Sequence, residues 1–131
     1  MNVLRRKHKA GMIVICGDNM NLHEKKCIPC DGGIPPLNDK EIQNYISEID
    51  ADWEVINNHH LQRKWDFSDF QNALNFVNLT GSICEEEGHH ANYELGWGFV
   101  KILIWTHKIN GLTSSDFILA SKFDEVENND S

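Results

Sequence analysis

No stretch of the 131-residue chain approaches the roughly 18 consecutive apolar residues that a membrane-spanning helix needs. Positive charge is also scarce: 12 Lys and Arg against 20 Asp and Glu leave a formal net charge of −8. That balance argues against a nucleic-acid backbone or an anionic membrane surface as the main partner, because both attract basic patches. An export signal is not expected either. Arg5, Arg6, Lys7 and Lys9 precede a short apolar run from Ala10 to Cys16, but Gly17-Asp18-Asn19-Met20 follows without a small-x-small cleavage site. A start at Met20, with residues 1–19 as an upstream extension, is the alternative reading of that segment. Four unevenly spaced cysteines (Cys16, Cys27, Cys30 and Cys84) do not form a disulfide framework. The cytoplasm is therefore the expected compartment. Cys27-Ile28-Pro29-Cys30 is a lone CxxC with no second pair and only His23 nearby, so it reads as a reduced pair in a loop.

What is present suffices for one domain. Apolar residues make up 40% of the chain, with four Trp and six Phe, which is material for a single core. Residues 1–26 show no steady period and read as a mobile N-terminal extension. Asp31-Gly32-Gly33-Ile34-Pro35-Pro36 then breaks structure ahead of a capping box, Asn38 with Glu41. Ile42, Tyr45, Ile46 and Ile49 follow at helical spacing, which predicts a helix over 39–50. Trp53–Ile56 and Leu61–Phe67, separated by Asn57-Asn58-His59-His60, predict a hairpin.

Ser68 with Gln71 predicts the start of a second helix, whose inner stripe is Phe70, Ala73, Val77, Gly81 and Cys84, with Gly88 as its stop. Tyr93, Leu95 and Trp97 alternate, and Phe99–Trp105 is nearly continuous apolar sequence, giving two more strands turned at Gly96 and Gly98. Thr113 with Asp116 predicts the cap of a third helix, and the acidic tail over 125–131 is expected to fray. The order α-β-β-α-β-β-α is that of an α+β domain over residues 27–124. Its economical form is one four-stranded antiparallel sheet with three helices packed on one face.

The densest polar group is Glu85-Glu86-Glu87-Gly88-His89-His90, where three carboxylates sit against the helix dipole. Glu85 and His89 stand at i, i+4 across the helix end. A carboxylate there can hold one imidazole nitrogen, fix the tautomer and make the other nitrogen the more basic one. His107 closes the long apolar strand. Two histidines from separate elements can serve as general acid and general base near neutral pH. The other pair, His59-His60, sits in a hairpin turn and reads as surface.

Glu85-x3-His89-His90, then Trp97, His107 and Asp116, resembles the signature of the pterin-4a-carbinolamine dehydratases. The flanks agree: Trp53, Trp65-x-Phe67, Phe70-x2-Ala73-x2-Phe76, Gly111-Leu112-Thr113 and Leu119-Ala120, along with the Cys-x2-Cys-x-Gly-Gly-x-Pro-Pro-Leu lead-in. Ala91 departs from the proline usual after the histidine pair, which leaves the turn less rigid and removes no catalytic group.

The resemblance implies the same α+β fold, assembled as a homodimer or homotetramer. It also implies a hydro-lyase reaction that removes water from 4a-hydroxytetrahydropterin to give quinonoid dihydropterin, recycling the cofactor of aromatic amino acid hydroxylases. By the same resemblance His89 and His107 are catalytic, Glu85 orients the pocket, and His90 binds the pterin. Trp97 and Asp116 join the substrate-binding set, although packing explains Trp97 and the Thr113 cap already explains Asp116. The pterin is the substrate, and no cofactor and no metal are expected. Two rivals remain. A metal centre on Glu85, His89, His90 and His107 lacks HExxH or HxH spacing. A non-catalytic dimerisation or transcription cofactor would use the same scaffold without needing the histidines.

Overall fold

The computed structural model describes residues 21–27 and 35–130, with side chains through 126. After a 3-10 turn at Leu22–Glu24 come α1 (Asp39–Ile46), β1 (Glu54–Ile56), β2 (His60–Asp66), α2 (Phe70–Glu87), β3 (Asn92–Gly96), β4 (Phe99–Ile104) and α3 (Ser114–Asp130). The strands form one sheet in the order β1-β2-β4-β3. Every pairing is antiparallel, with Trp65 opposite Val100 and Leu95 opposite the same residue on the other side. The expected α+β architecture is the one observed.

Alternation builds the layers. Leu61, Arg63 and Trp65 of β2 and Val100, Ile102 and Ile104 of β4 point to one face and are buried. The helices cover that face with Ile42 of α1, Ala73 and Phe76 of α2, and Phe117, Leu119, Ala120 and Phe123 of α3. Phe76 sits against Trp65 and Phe67, with ring centroids 4.8 and 5.4 Å away. Those contacts give α2 an inner stripe of Ala73, Phe76, Thr80 and Cys84, while Phe70, expected inside, is 42% exposed.

Local signals decide most boundaries. Asn38 accepts the Glu41 N–H at 2.9 Å and Glu41 returns the bond to the Asn38 N–H, completing the predicted box. Asn57 and Asn58 take positive φ (53° and 55°) in the β1–β2 loop, a conformation that asparagine tolerates. Three helix boundaries differ from the sequence reading. α1 ends at Ile46 rather than near 50, because the Asp50 N–H is taken by the buried Asp124 carboxylate at 3.1 Å. The α2 cap is Asp69, not Ser68: Asp69 Oδ1 accepts the Asn72 N–H at 2.9 Å. α3 runs on to Asp130, past the expected fraying point, since Phe123 and Asp124 are fully buried and Val126 packs on the core.

Residues 21–26 do not behave as an arm. Leu22 is buried, and Lys122 Nζ donates to the His23 carbonyl at 2.7 Å. Residues 1–20, and with them Cys16, lie outside the described residues, as do Cys30 and the Gly32-Gly33 breaker. Among the described residues no helix is long and apolar enough to cross a membrane.

Candidate active site

α2 stops where its sequence says it should. Gly88 takes φ +67°, its N–H bonds to the Cys84 carbonyl at 2.9 Å, and the His89 N–H reaches the same carbonyl at 3.2 Å. A left-handed residue at this position is a glycine stop that redirects the chain within one residue. The redirection decides which carboxylate each histidine meets. His89 Nε2 donates to Asp116 Oδ1 at 2.6 Å, and His90 Nε2 donates to Glu85 Oε2, also at 2.6 Å. The expected Glu85–His89 contact is therefore replaced: once Gly88 leaves the helical path, His89 no longer lies one turn above Glu85.

The two pairs differ in surroundings. His90 and Glu85 are exposed, with side chains 58% and 79% accessible, so their contact is a solvated surface one. Asp116 is fully buried, and the His89 side chain is 16% exposed. Asp116 Oδ2 accepts from Thr106 Oγ1 at 2.8 Å and from the Thr113 N–H at 2.8 Å. The Thr106 and Thr113 hydroxyls are 3.0 Å apart. Asp116 thus both caps α3 and holds His89, and its structural and positioning roles share one carboxylate. A fixed Nε2–H leaves His89 Nδ1 as the nitrogen able to take a proton, and the buried carboxylate stabilises the imidazolium that would result.

His107 is brought to the same end of the sheet. Asn92, just after the histidine pair, lies opposite Leu103, and β4 ends one residue later. Thr106, which bonds Asp116, immediately precedes His107. A bridge between Thr106 and Gly111 closes the loop that carries His107, with the Asn110 N–H on the His107 carbonyl at 3.2 Å. The His107 ring lies 4.5 Å from that of Trp105, centroid to centroid. Trp97 stands apart: it sits in the β3–β4 turn, 68% exposed, next to the pair Gly96–Phe99. About five strand residues, on the order of 16 Å, separate it from the histidine end, so within one chain it does not join the site.

The sequence reading missed Thr106, Thr113 and Trp105 as site residues, and it took His59-His60 for an isolated surface pair. The adjacency of Thr106 and His107 and the Thr113–Asp116 cap spacing were the local signals. Among the described residues no group of three or more His, Cys, Asp or Glu side chains is placed to hold a metal ion. His89 and His90 point to different carboxylates, which explains this for the adjacent pair.

Other groups nearby are built into the scaffold. Cys27 is half-buried, its thiol donates to the Ser115 carbonyl at 3.5 Å, and burial, then the Glu87 charge, push it up to about 12. It is a poor nucleophile near neutral pH. Tyr93 donates to Thr80 Oγ1 at 2.9 Å, tying β3 to α2, and burial pushes its phenol up.

Residues 35–126 match the family model described as Pterin 4 alpha carbinolamine dehydratase. A protein of Alkaliphilus metalliredigens named "Putative pterin-4-alpha-carbinolamine dehydratase" is 51% identical over 107 residues, covering 82% of this chain and 96% of that one. One of the same name from Rickettsia canadensis is 50% identical over 103 residues, covering 79% and 94%. The crystal structure titled transcriptional coactivator/pterin dehydratase from Brucella melitensis superimposes with a TM-score of 0.65. It covers 70% of this chain and 97% of that one at 24% identity, a likeness of fold. With most of its length matched by the family model and by relatives at half identity, the chain belongs to the pterin 4 alpha carbinolamine dehydratase family.

Proposed function

We propose that the protein is a 4a-hydroxytetrahydropterin dehydratase that works by histidine acid–base catalysis. The observation that carries this reading is the His89 Nε2–Asp116 Oδ1 contact at 2.6 Å, a histidine of fixed tautomer on a buried carboxylate. The reaction needs little else. N5 of the pterin gives up its proton, its electron pair forms the C4a=N5 bond, the C4a–O bond breaks, and the hydroxyl leaves with a delivered proton as water. Protons balance and no electrons are exchanged, so one group that accepts and one that donates are enough. His89 and His107 take these roles, from two elements linked through Asp116 and Thr106. His90, held by Glu85 at the exposed rim, binds the pterin. Asp116, expected among the substrate-binding residues, acts from inside the protein as a positioning group.

The product, a quinonoid dihydropterin, is a form that a reductase returns to the cofactor of aromatic amino acid hydroxylases. As part of the same proposal, the protein works in the cytoplasm as a homo-oligomer in the service of such an enzyme. The rate of dehydration of freshly generated 4a-hydroxytetrahydropterin tests the reading. Wild type accelerates it, and His89→Ala and His107→Ala each lose roughly 10²–10⁴-fold. A folded wild type that gives no acceleration would sink it and leave the non-catalytic cofactor role for this scaffold.

A further inference from the structure

His60 opens β2, with His59 just before it, at the end of the sheet where β4 hands the chain to the His107 loop. Leu61, the residue after them, is paired with Ile104. The two rings are not isolated. His59 Nε2 lies 2.8 Å from Asn110 Oδ1, and His59 Nδ1 lies 3.0 Å from His60 Nδ1. Both rings flank Trp105, at 5.2 and 5.7 Å between centroids, and the same indole meets His107 at 4.5 Å.

The donor chemistry gives this cluster one arrangement when the rings are neutral. An amide oxygen only accepts, so His59 must carry its proton on Nε2. Its Nδ1 is then bare and accepts from the Nδ1–H of His60. Hydrogen bonds run in one direction, from His60 to His59 to Asn110. Burial, and then the neighbouring His59, lower the pKa of His60, in keeping with a neutral ring.

Asn110 is the last residue of the loop that His107 begins, and its φ of +53° suits an asparagine held by its side chain. The loop is therefore tethered at both ends. Thr106 is fastened to Asp116, the residue that also holds His89. Asn110 is fastened to His59. Without the second tether the loop could pivot about the Thr106–Gly111 bridge and carry His107 with it.

We infer that His59 and Asn110 are positioning residues for His107, and that the His60–His59–Asn110 chain, packed on Trp105, fixes the His107 ring relative to His89. The inference rests on the dehydratase reading for the role of His107, though not for its placement. His59→Phe keeps a ring on Trp105 and removes both hydrogen bonds. Asn110→Gly keeps the positive φ and removes the acceptor, while Asn110→Asp retains it.

Kinetics and side-chain 15N NMR of the histidines, on the full chain, read the effect. His59→Phe and Asn110→Gly are expected to lower kcat roughly 10-fold to 100-fold. KM changes less than about twofold, because the loss falls on placement of a reacting group rather than on binding. Asn110→Asp retains kcat near wild type, and the His107 resonances move in the first two variants alone. Unchanged kcat together with unmoved His107 resonances in both variants overturns the inference. If wild type shows no dehydration, moved His107 resonances still establish the tether and unmoved ones refute it, so the failure of either idea is seen separately.

Discussion

Asp116 carries two duties on two oxygens. Oδ2 closes the start of α3 through the Thr113 N–H and receives the Thr106 hydroxyl, while Oδ1 receives His89. Replacing it by asparagine separates the duties. The amide oxygen can keep the Thr106 and Thr113 donors, leaving the NH2 group against His89. An imidazole facing a donor must bare its Nε2 and move the proton to Nδ1, the wrong tautomer for a base at that atom. Asp116→Asn is expected to stay within about 1 kcal/mol of wild-type stability. Its kcat should fall roughly 10²–10⁴-fold, with the His89 proton moved to Nδ1 in side-chain 15N spectra. A variant with wild-type kcat would remove Asp116 from the mechanism. Sequence spacing could not have shown this pair, since 27 positions separate His89 from Asp116. What spacing did offer, Glu85 at i, i+4 from His89, assumed a helix that Gly88 ends one residue too soon.

At the scale of elements, the same contrast between near and far recurs. The Asn38–Glu41 box, the Asn57-Asn58 turn and the alternation of β2 and β4 are local, and each is legible in a few residues. The tie between the first hairpin and α3 is not. Asp124 Oδ1 accepts from Arg63 at 2.7 Å and from Trp53 Nε1 at 2.8 Å, and Oδ2 accepts from the Asp50 N–H at 3.1 Å. Arg63 is 4% exposed and Asp124 not at all. A charged pair inside an apolar stripe reads in sequence as a flaw, and only the folded chain shows the carboxylate tying β2 and the α1–β1 connection to α3. That placement also explains why α1 stops early and α3 continues. Asp124→Ala leaves a buried guanidinium short of a carboxylate and takes the same acceptor from an indole N–H and a backbone N–H. The expected cost is about 3–5 kcal/mol, measured by denaturant unfolding. A loss under about 1 kcal/mol would mean that the other contacts of Arg63, Asp50 and Asp52 at 3.6 Å among them, hold it without Asp124.

At the scale of the whole molecule, the segment over 21–27 closes on both long helices near the candidate site. Glu87, at the end of α2, accepts the Cys27 N–H at 2.9 Å. Its side chain, 4% exposed, also lies 3.6 Å from Lys122 of α3 and 3.8 Å from Lys26. The run of three glutamates was legible as an oddity at a helix end, but which of them is buried was not, because its partners lie 60 residues away at Cys27 and on another helix.

Burial alone would raise the Glu87 carboxyl. The Cys27 N–H and the two lysines outweigh it, and the group ends below its ordinary 4.5. A carboxyl lowered by folding stabilises the fold above its ordinary value, and that contribution disappears as pH falls through the lowered one. The segment should therefore stay docked near neutral pH and loosen in acid below 4.5, before the core itself opens. Protection of the Cys27 amide against hydrogen exchange, followed as pH is lowered, reads this directly. Glu87→Gln keeps an acceptor for that amide and removes the charge. It should cost about 1 kcal/mol near neutral pH and flatten the acid dependence. If wild type and Glu87→Gln lose protection along the same pH curve, the clasp is held by Leu22 packing and the Lys122–His23 bond, and Glu87 is a bystander.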